Sequence, residues 1–324
     1  MRPAFSVIFF TVMSGCGYGL LFLCGLALTF DSALFGRIEG LTLLGVGAVF
    51  VVAGLLASTL HLGQPQRAWR AFSQWRSSWL SREGVASVAS FVPILALSWC
   101  LWHGGDPNGV HALGALLALL AVITVVCTAG IYTSLKTIPA WHNRFVLPGY
   151  LLLGLLGGAI WIRALHGLLD DGNPRFAVGS PGLTWLIATL ALASWLLKRA
   201  YWNSIDTAPP AATPESATGL GRFGAVRSVE APHTEKNYLT HEMGFALARK
   251  HAVRLRAVAL ILIGPLPIVL ALATALLVPR SPTLASCTAI AAALLVTAGL
   301  FVERWLFFAE AKHVVMLYYG GARS

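Results

Sequence analysis

The sequence predicts an all-α, polytopic membrane protein of about eight transmembrane helices, and three observations predict it. Of 324 residues, 57% are hydrophobic and only 11% are charged, whereas a water-soluble domain carries about a quarter charged residues. Mean hydropathy is +0.73. Eight stretches reach the ~20 apolar residues that cross a bilayer, at 5–30, 40–60, 84–102, 110–133, 147–169, 183–203, 255–278 and 283–306.

The first stretch follows Arg2 and is too long for a secretory h-region, which ends in a small-residue cleavage site. It is expected to stay as an uncleaved first helix, and no twin-arginine signal accompanies it. Gly15 and Gly19 in this stretch form a GxxxG, and Gly154, Gly157 and Gly158 cluster in the fifth. In lipid, such small residues let helix backbones approach closely. Between the stretches, basic residues fall on one side. The 61–83 loop holds Arg67, Arg70, Arg76 and Arg82, and the 134–146 loop holds Lys136 and Arg144. The 204–254 segment and the C-terminus are also basic, while the other side has only Arg37, Arg163, Arg175 and Arg280. By the positive-inside rule, both termini and the even-numbered loops face the cytoplasm of a bacterial inner membrane. The net charge of +10 then belongs to loops beside anionic lipid, not to a nucleic-acid surface. Arg163 is expected to snorkel toward the opposite surface.

This reading divides the chain into three parts. Residues 1–203 carry helices one to six with an interfacial loop at 61–83. Residues 204–254 form a cytoplasmic segment, flexible and Pro/Ala-rich over 207–219. Leu239, Met243 and Leu247 then repeat at helical spacing beside Arg249, Lys250 and Arg254, which suggests an amphipathic surface helix. Residues 255–324 carry helices seven and eight and the tail.

No redox centre is expected on the chain itself. Cys16, Cys24, Cys100, Cys127 and Cys287 lie singly in apolar stretches, whereas iron–sulfur clusters and structural zinc need closely spaced thiolates. The nine histidines sit at helix ends or in loops, not in mid-span where a haem-bearing cytochrome would place them. A haem near one surface, through His166, is the exception left open.

The densest polar segment is HLGQPQRAWRAFSQWRSSWLSRE, residues 61–83. Trp69, Phe72, Trp75 and Trp79 recur every three or four residues, an aromatic face suited to the membrane–water interface. Arg67 and Arg70 lie off that face, where they can meet headgroups or a partner protein. Ser81 is expected to cap helix three, with Glu83 in its first turn. His61 and Glu83 end neighbouring helices on one membrane face. A quinone ring arrives from lipid, and its oxygens need a hydrogen-bond donor and a proton acceptor, which histidine and a partly desolvated carboxylate supply. The plainer reading is an interfacial histidine and a glutamate favoured by the helix dipole. Glu303, Arg304, Glu310, Lys312 and His313 form a second cluster. Glu303 lies within the membrane if helix eight is long. A solvated helix end, with Arg304 as local partner, is the favoured expectation.

Residues 58–71, of pattern SxLHLGxPxRAWRA, followed by SSWLSRE at 77–83, resemble the DmsC-type anchor subunit of dimethyl sulfoxide reductase. The opening PAFSVIFFT, the late ERWLFFAEAKH and the eight-span plan extend the resemblance over essentially the whole chain. It implies an anchor that is not catalytic alone and carries neither haem nor iron–sulfur cluster. It also implies menaquinone or ubiquinone bound as substrate near His61 and Glu83. Its partners would be an iron–sulfur electron-transfer subunit and a molybdopterin catalytic subunit. Arg67, Arg70, Arg82 and Glu303 are the supporting candidates. The long 204–254 segment departs from the enteric reductase anchor and is more similar to anchors of cytoplasmic sulfite-oxidising complexes, called SoeC. The competing readings are a secondary transporter, which should show broken helices and midplane polar residues, a haem-bearing cytochrome, and a haem-free membrane scaffold.

Overall fold

The computed structural model describes residues 3–60, 62–169, 178–227, 229–230 and 247–317. These form α1 (Phe5–Phe30), α2 (Arg37–Thr59), a 3-10 segment (Pro65–Gln74), α3 (Trp79–His103), α4 (Pro107–Thr133), α5 (Val146–Leu169) and α6 (Pro181–Thr207). A short turn of helix, Pro214–Thr218, precedes α7a (Leu247–Ile263), α7b (Pro265–Leu277) and α8 (Pro282–Ala309). Eight helical stretches among the described residues are long and apolar enough to cross a membrane. All eight coincide with the stretches read from hydropathy, and no strand occurs among the described residues.

The helices overrun the apolar stretches at several ends because capping carries the backbone ladder past the hydrocarbon. Ser78 caps α3 by accepting from Ser81 N–H at 3.4 Å, and Asp106 caps α4 by accepting from Gly109 N–H at 3.1 Å. Pro107, Pro181 and Pro282 open α4, α6 and α8, at a position whose N–H has no helical acceptor anyway. The seventh span runs His251–Leu277 but breaks at Gly264, because Pro265 restricts the residue before it. The expected amphipathic stretch around Leu239 and Met243 lies outside the described residues.

α1 is the hub of the bundle and packs on α2, α4 and α5. Backbone meets backbone at the α1/α5 crossing. A Cβ on Gly19 would stand 1.9 Å from Gly154 O, and one on Gly158 would stand 2.2 Å from Leu20 N. α3 rests on α4, and α8 closes the other half against α5, α7a and α7b.

Two charged residues depart from expectation. Arg163 does not snorkel. It is 1% exposed, with Nη1 donating to Ala271 O at 2.9 Å and Nη2 to Thr184 Oγ1 at 2.6 Å. The carbonyl and hydroxyl replace water, so the guanidinium has no need to reach the surface. Glu303 is not a solvated helix end. α8 runs on to Ala309 and leaves Glu303 fully buried.

Candidate functional site

One end of the bundle, the basic end, carries the 3-10 segment, the 134–145 loop and residues 208–227. The 3-10 segment presents Trp69, Phe72 and Trp75 outward. Three residues of α3, Ser81, Arg82 and Gly84, hold the segment and the turn that follows it. The Ser81 hydroxyl donates to Ala71 O. Arg82 donates from Nε to Trp75 O at 3.1 Å and from Nη2 to Arg76 O at 2.7 Å. Phe72 lies on Gly84, where a Cβ would stand 3.0 Å from the ring. Arg82 therefore ties off the end of the segment, with its guanidinium 4.6 Å from the centre of the Trp79 ring. Arg70 sits 5.7 Å from the centre of Trp69. Arg67 N–H donates to Gln64 O at 3.0 Å in a backbone turn.

α3 is amphipathic in the sense suited to lipid. Val85, Val88, Val92, Leu95, Trp99 and Trp102 face outward, while Glu83, Ser87 and Ser90 are buried. Its start differs from expectation in two ways. Ser78, not Ser81, is the cap, and Glu83 is the fifth helical residue, not a first-turn one. It is past the reach of the helix end and points into the bundle at 3% exposure. Its partner is Thr128 of α4, whose hydroxyl donates to Glu83 Oε1. Gly130 permits that approach: Trp79 lies across it, and a Cβ there would stand 2.6 Å from the indole. Beneath Glu83, the buried hydroxyl of Tyr18 on α1 stands close to those of Ser87, Ser90 and Thr124 without closing a well-formed hydrogen bond. His61 lies outside the described residues.

A second buried polar cluster occupies the basic end between α5, α6 and α8. Glu303 Oε1 is 2.6 Å from Lys198 Nζ, and Glu303 Oε2 is 2.6 Å from Arg304 Nε. Lys198, an end-of-helix charge by its place in the sequence, is 3% exposed. Its Nζ lies 3.9 Å from the centre of the Tyr201 ring, and Arg304 lies 4.1 Å from the centre of Tyr150. Farther out, Arg256 bonds Glu310 at 2.9 Å and both oxygens of Asp206 at 2.6 and 3.1 Å. Glu310, just beyond α8, is raised above the ordinary carboxylate range by burial, against the pull of Arg256. Separation in sequence hid the joining of Lys198 to Glu303: they come from different helices, and the sequence placed Glu303 at a solvated helix end beside Arg304.

At the opposite end, His166 Nδ1 pairs with Glu39 Oε1, and both side chains are buried. His111 Nδ1, also at that end, lies 3.0 Å from Leu28 O, while at the basic end His142 Nδ1 lies 2.5 Å from Thr133 O. No three His, Cys, Asp or Glu side chains gather as a metal site among the described residues.

Apolar faces turned outward along eight spans, with Glu83 and Glu303 buried near the basic end and Glu39 near the other, define a multi-pass membrane anchor. The chain belongs to the DMSO reductase anchor subunit (DmsC) family, whose model matches residues 1–310. It is 31% identical over 335 residues to the C subunit of the sulfite dehydrogenase of Allochromatium vinosum, covering 98% of this chain and 99% of that protein. Two Escherichia coli proteins match shorter parts. The anaerobic dimethyl sulfoxide reductase polypeptide YnfH is 29% identical over 49% of this chain and 56% of its own length. The C polypeptide of the anaerobic dimethyl sulfoxide reductase is 30% identical over 35% of this chain and 39% of its own length.

Proposed function

We propose that this anchor is the quinone-reactive subunit of a molybdopterin oxidoreductase complex in the bacterial inner membrane. It passes electrons between the quinone pool and an iron–sulfur partner subunit, which in turn serves a molybdopterin catalytic subunit. The chain is not catalytic alone. The observation that carries the reading is Glu83, a carboxyl kept inside an apolar bundle near one surface, with a single hydroxyl as its described partner. An ionisable group in that position is costly and is usually functional. Oxidation of a quinol releases two protons and two electrons, and Glu83 is placed to exchange the protons. His61, which precedes the 3-10 segment, is the proposed hydrogen-bond partner of a ring oxygen. Arg67 and Arg70 project from the exposed segment and are proposed to hold the partner subunit. Arg82 supports the site by fixing that segment. The basic end is proposed to face the cytoplasm, with both termini, because it collects the arginines and lysines.

End-to-end similarity to a sulfite dehydrogenase subunit, against partial matches to the reductase polypeptides, favours a sulfite-oxidising complex that feeds electrons into quinone. The test is purification of the tagged chain with its partners, followed by two assays. Sulfite-to-quinone turnover should be lost in Glu83→Gln and His61→Ala. Sulfite oxidation with a soluble electron acceptor, which bypasses the membrane chain, should persist. Wild-type quinone-linked turnover in both variants sinks the proposed site. A chain reproducibly purified alone, without molybdenum or iron, would favour a scaffold or a transporter.

A further inference from the structure

Glu83 is buried, so a carboxyl that exchanges protons there needs a route to water. We propose that Tyr132, Tyr150 and the Lys198–Glu303–Arg304 cluster form that route, with a water held by Thr11, Tyr150 and Arg304, and that it opens at Asp206. The proposal rests on the quinone reading above.

The groups lie at one depth. Glu83 and Tyr150 are the fifth residues of α3 and α5, while Thr128 and Arg304 are five residues from the ends of α4 and α8. At 1.5 Å per residue, all stand about 6–8 Å inside the basic end. Tyr132 lies one turn beyond Thr128 on α4, so the two share a face. Its ring is stacked on Tyr150, with centroids 5.8 Å apart. Tyr150 in turn lies under Arg304.

Two groups in this row are underused. Tyr150 Oη and Arg304 Nη1 are buried and close no well-formed hydrogen bond among the described residues, although the Tyr150 hydroxyl stands near Arg304 and Tyr132. Both residues line a cavity of about 20 Å³, shared with Thr11, Gly15, Cys16 and Leu300. A water needs roughly 10–15 Å³ and two to four polar partners, and Thr11, Tyr150 and Arg304 supply three. By contrast, a cavity of about 40 Å³ beside Tyr18 has apolar walls and no such partners. On the far side of Arg304, Glu303 bridges to Lys198. Lys198 stacks on Trp202 at 4.8 Å, and Trp202 Nε1 donates to Glu310 at 3.2 Å. Glu310 and Asp206 share Arg256, and Asp206 is 55% exposed.

The chemistry divides by residue type. Arginine keeps its proton, so Arg304 is a fixed charge that orients the water and Glu303. An indole N–H only donates, so Trp202 and Arg256 only hold Glu310 and Asp206 in place, and the proposed transfer from Lys198 to Glu310 and Asp206 runs through water. Tyrosine hydroxyls, Glu303 and Lys198 can each accept and release a proton. In quinol oxidation, two electrons pass to the iron–sulfur subunit while two protons leave Glu83 in succession along this row. In quinone reduction, the same groups carry protons inward.

Tyr150→Phe isolates the claim, because it keeps the ring beneath Arg304 and removes only the hydroxyl. In the assembled complex, it should lower quinone-linked turnover about tenfold, the scale of one lost hydrogen bond. It should also raise the solvent isotope effect in D2O, while turnover with a soluble electron acceptor and affinity for a quinone analogue stay at wild-type values. Glu303→Gln should lower quinone-linked turnover at least as far. If that variant fails to assemble, Tyr150→Phe still decides. Wild-type turnover in Tyr150→Phe overturns the route. So does reduced turnover with an unchanged isotope effect, which would mean packing alone. If Glu83→Gln leaves quinone-linked turnover intact, the quinone site is wrong and the route falls with it. Loss in Glu83→Gln with no effect of Tyr150→Phe removes the route only.

Discussion

Thr128 of α4 donates its hydroxyl hydrogen to the carboxyl of Glu83 in α3, and both residues are buried. The contact joins two helices that meet at Gly130, and it gives Glu83 a partner where the hydrocarbon offers none. Thr128→Val keeps the shape and removes the hydroxyl. Leaving a buried acceptor unsatisfied costs about 1–3 kcal/mol, so the variant should melt earlier in detergent. Its quinone-linked turnover should also fall, while turnover with a soluble electron acceptor stays unchanged. Wild-type melting and turnover would remove Thr128 from the site.

Gly15 and Gly19 share one GxxxG but are predicted to behave oppositely. A Cβ on Gly15 meets nothing within 4 Å, whereas one on Gly19 would strike the Gly154 carbonyl. Gly15→Ala should leave the melting temperature within the scatter of surface substitutions, about 0.5 kcal/mol. Gly19→Ala forces backbones apart at the α1/α5 crossing and should cost roughly 1–3 kcal/mol. Equal effects in thermal unfolding would show that the two glycines are equivalent.

Within the second cluster, two cations share one carboxylate, which makes the substitutions unequal. Lys198→Met leaves Glu303 still paired with Arg304. Glu303→Leu leaves two buried cations without their anion, and removing one partner from a buried pair costs about 3–5 kcal/mol. Glu303→Leu should therefore be the more damaging, read as the yield of folded chain in detergent. The reverse order would show that Lys198, not Glu303, organises the cluster.

Arg163 joins α5 to α6 and α7b through Thr184 and Ala271. Arg163→Met should lower stability by about 1–3 kcal/mol through the acceptors it leaves bare. Quinone-linked turnover per assembled complex should not change, because Arg163 belongs to the opposite end. A selective loss of that turnover would mean that the two ends communicate.

The eight spans were legible in the sequence because a bilayer imposes a length and a composition on any helix that crosses it. The interfacial segment carried local signals in its aromatic spacing and arginines, and the motif at residues 77–83 singles out Glu83 as a candidate, although its place in the second helical turn, facing inward, came only from the fold. What pairs with Glu83 was not legible. Thr128 is 45 residues away, and threonines are scattered through most of the spans. Nor were the burial of Arg163 and Glu303, or the joining of Lys198 to Glu303 across α6 and α8. Hydropathy reports which segments enter the membrane, because that depends on each segment's own side chains. Which way a charged side chain faces depends on the helices beside it, and only the packed bundle supplies a carbonyl, hydroxyl or counter-charge that makes burial tolerable.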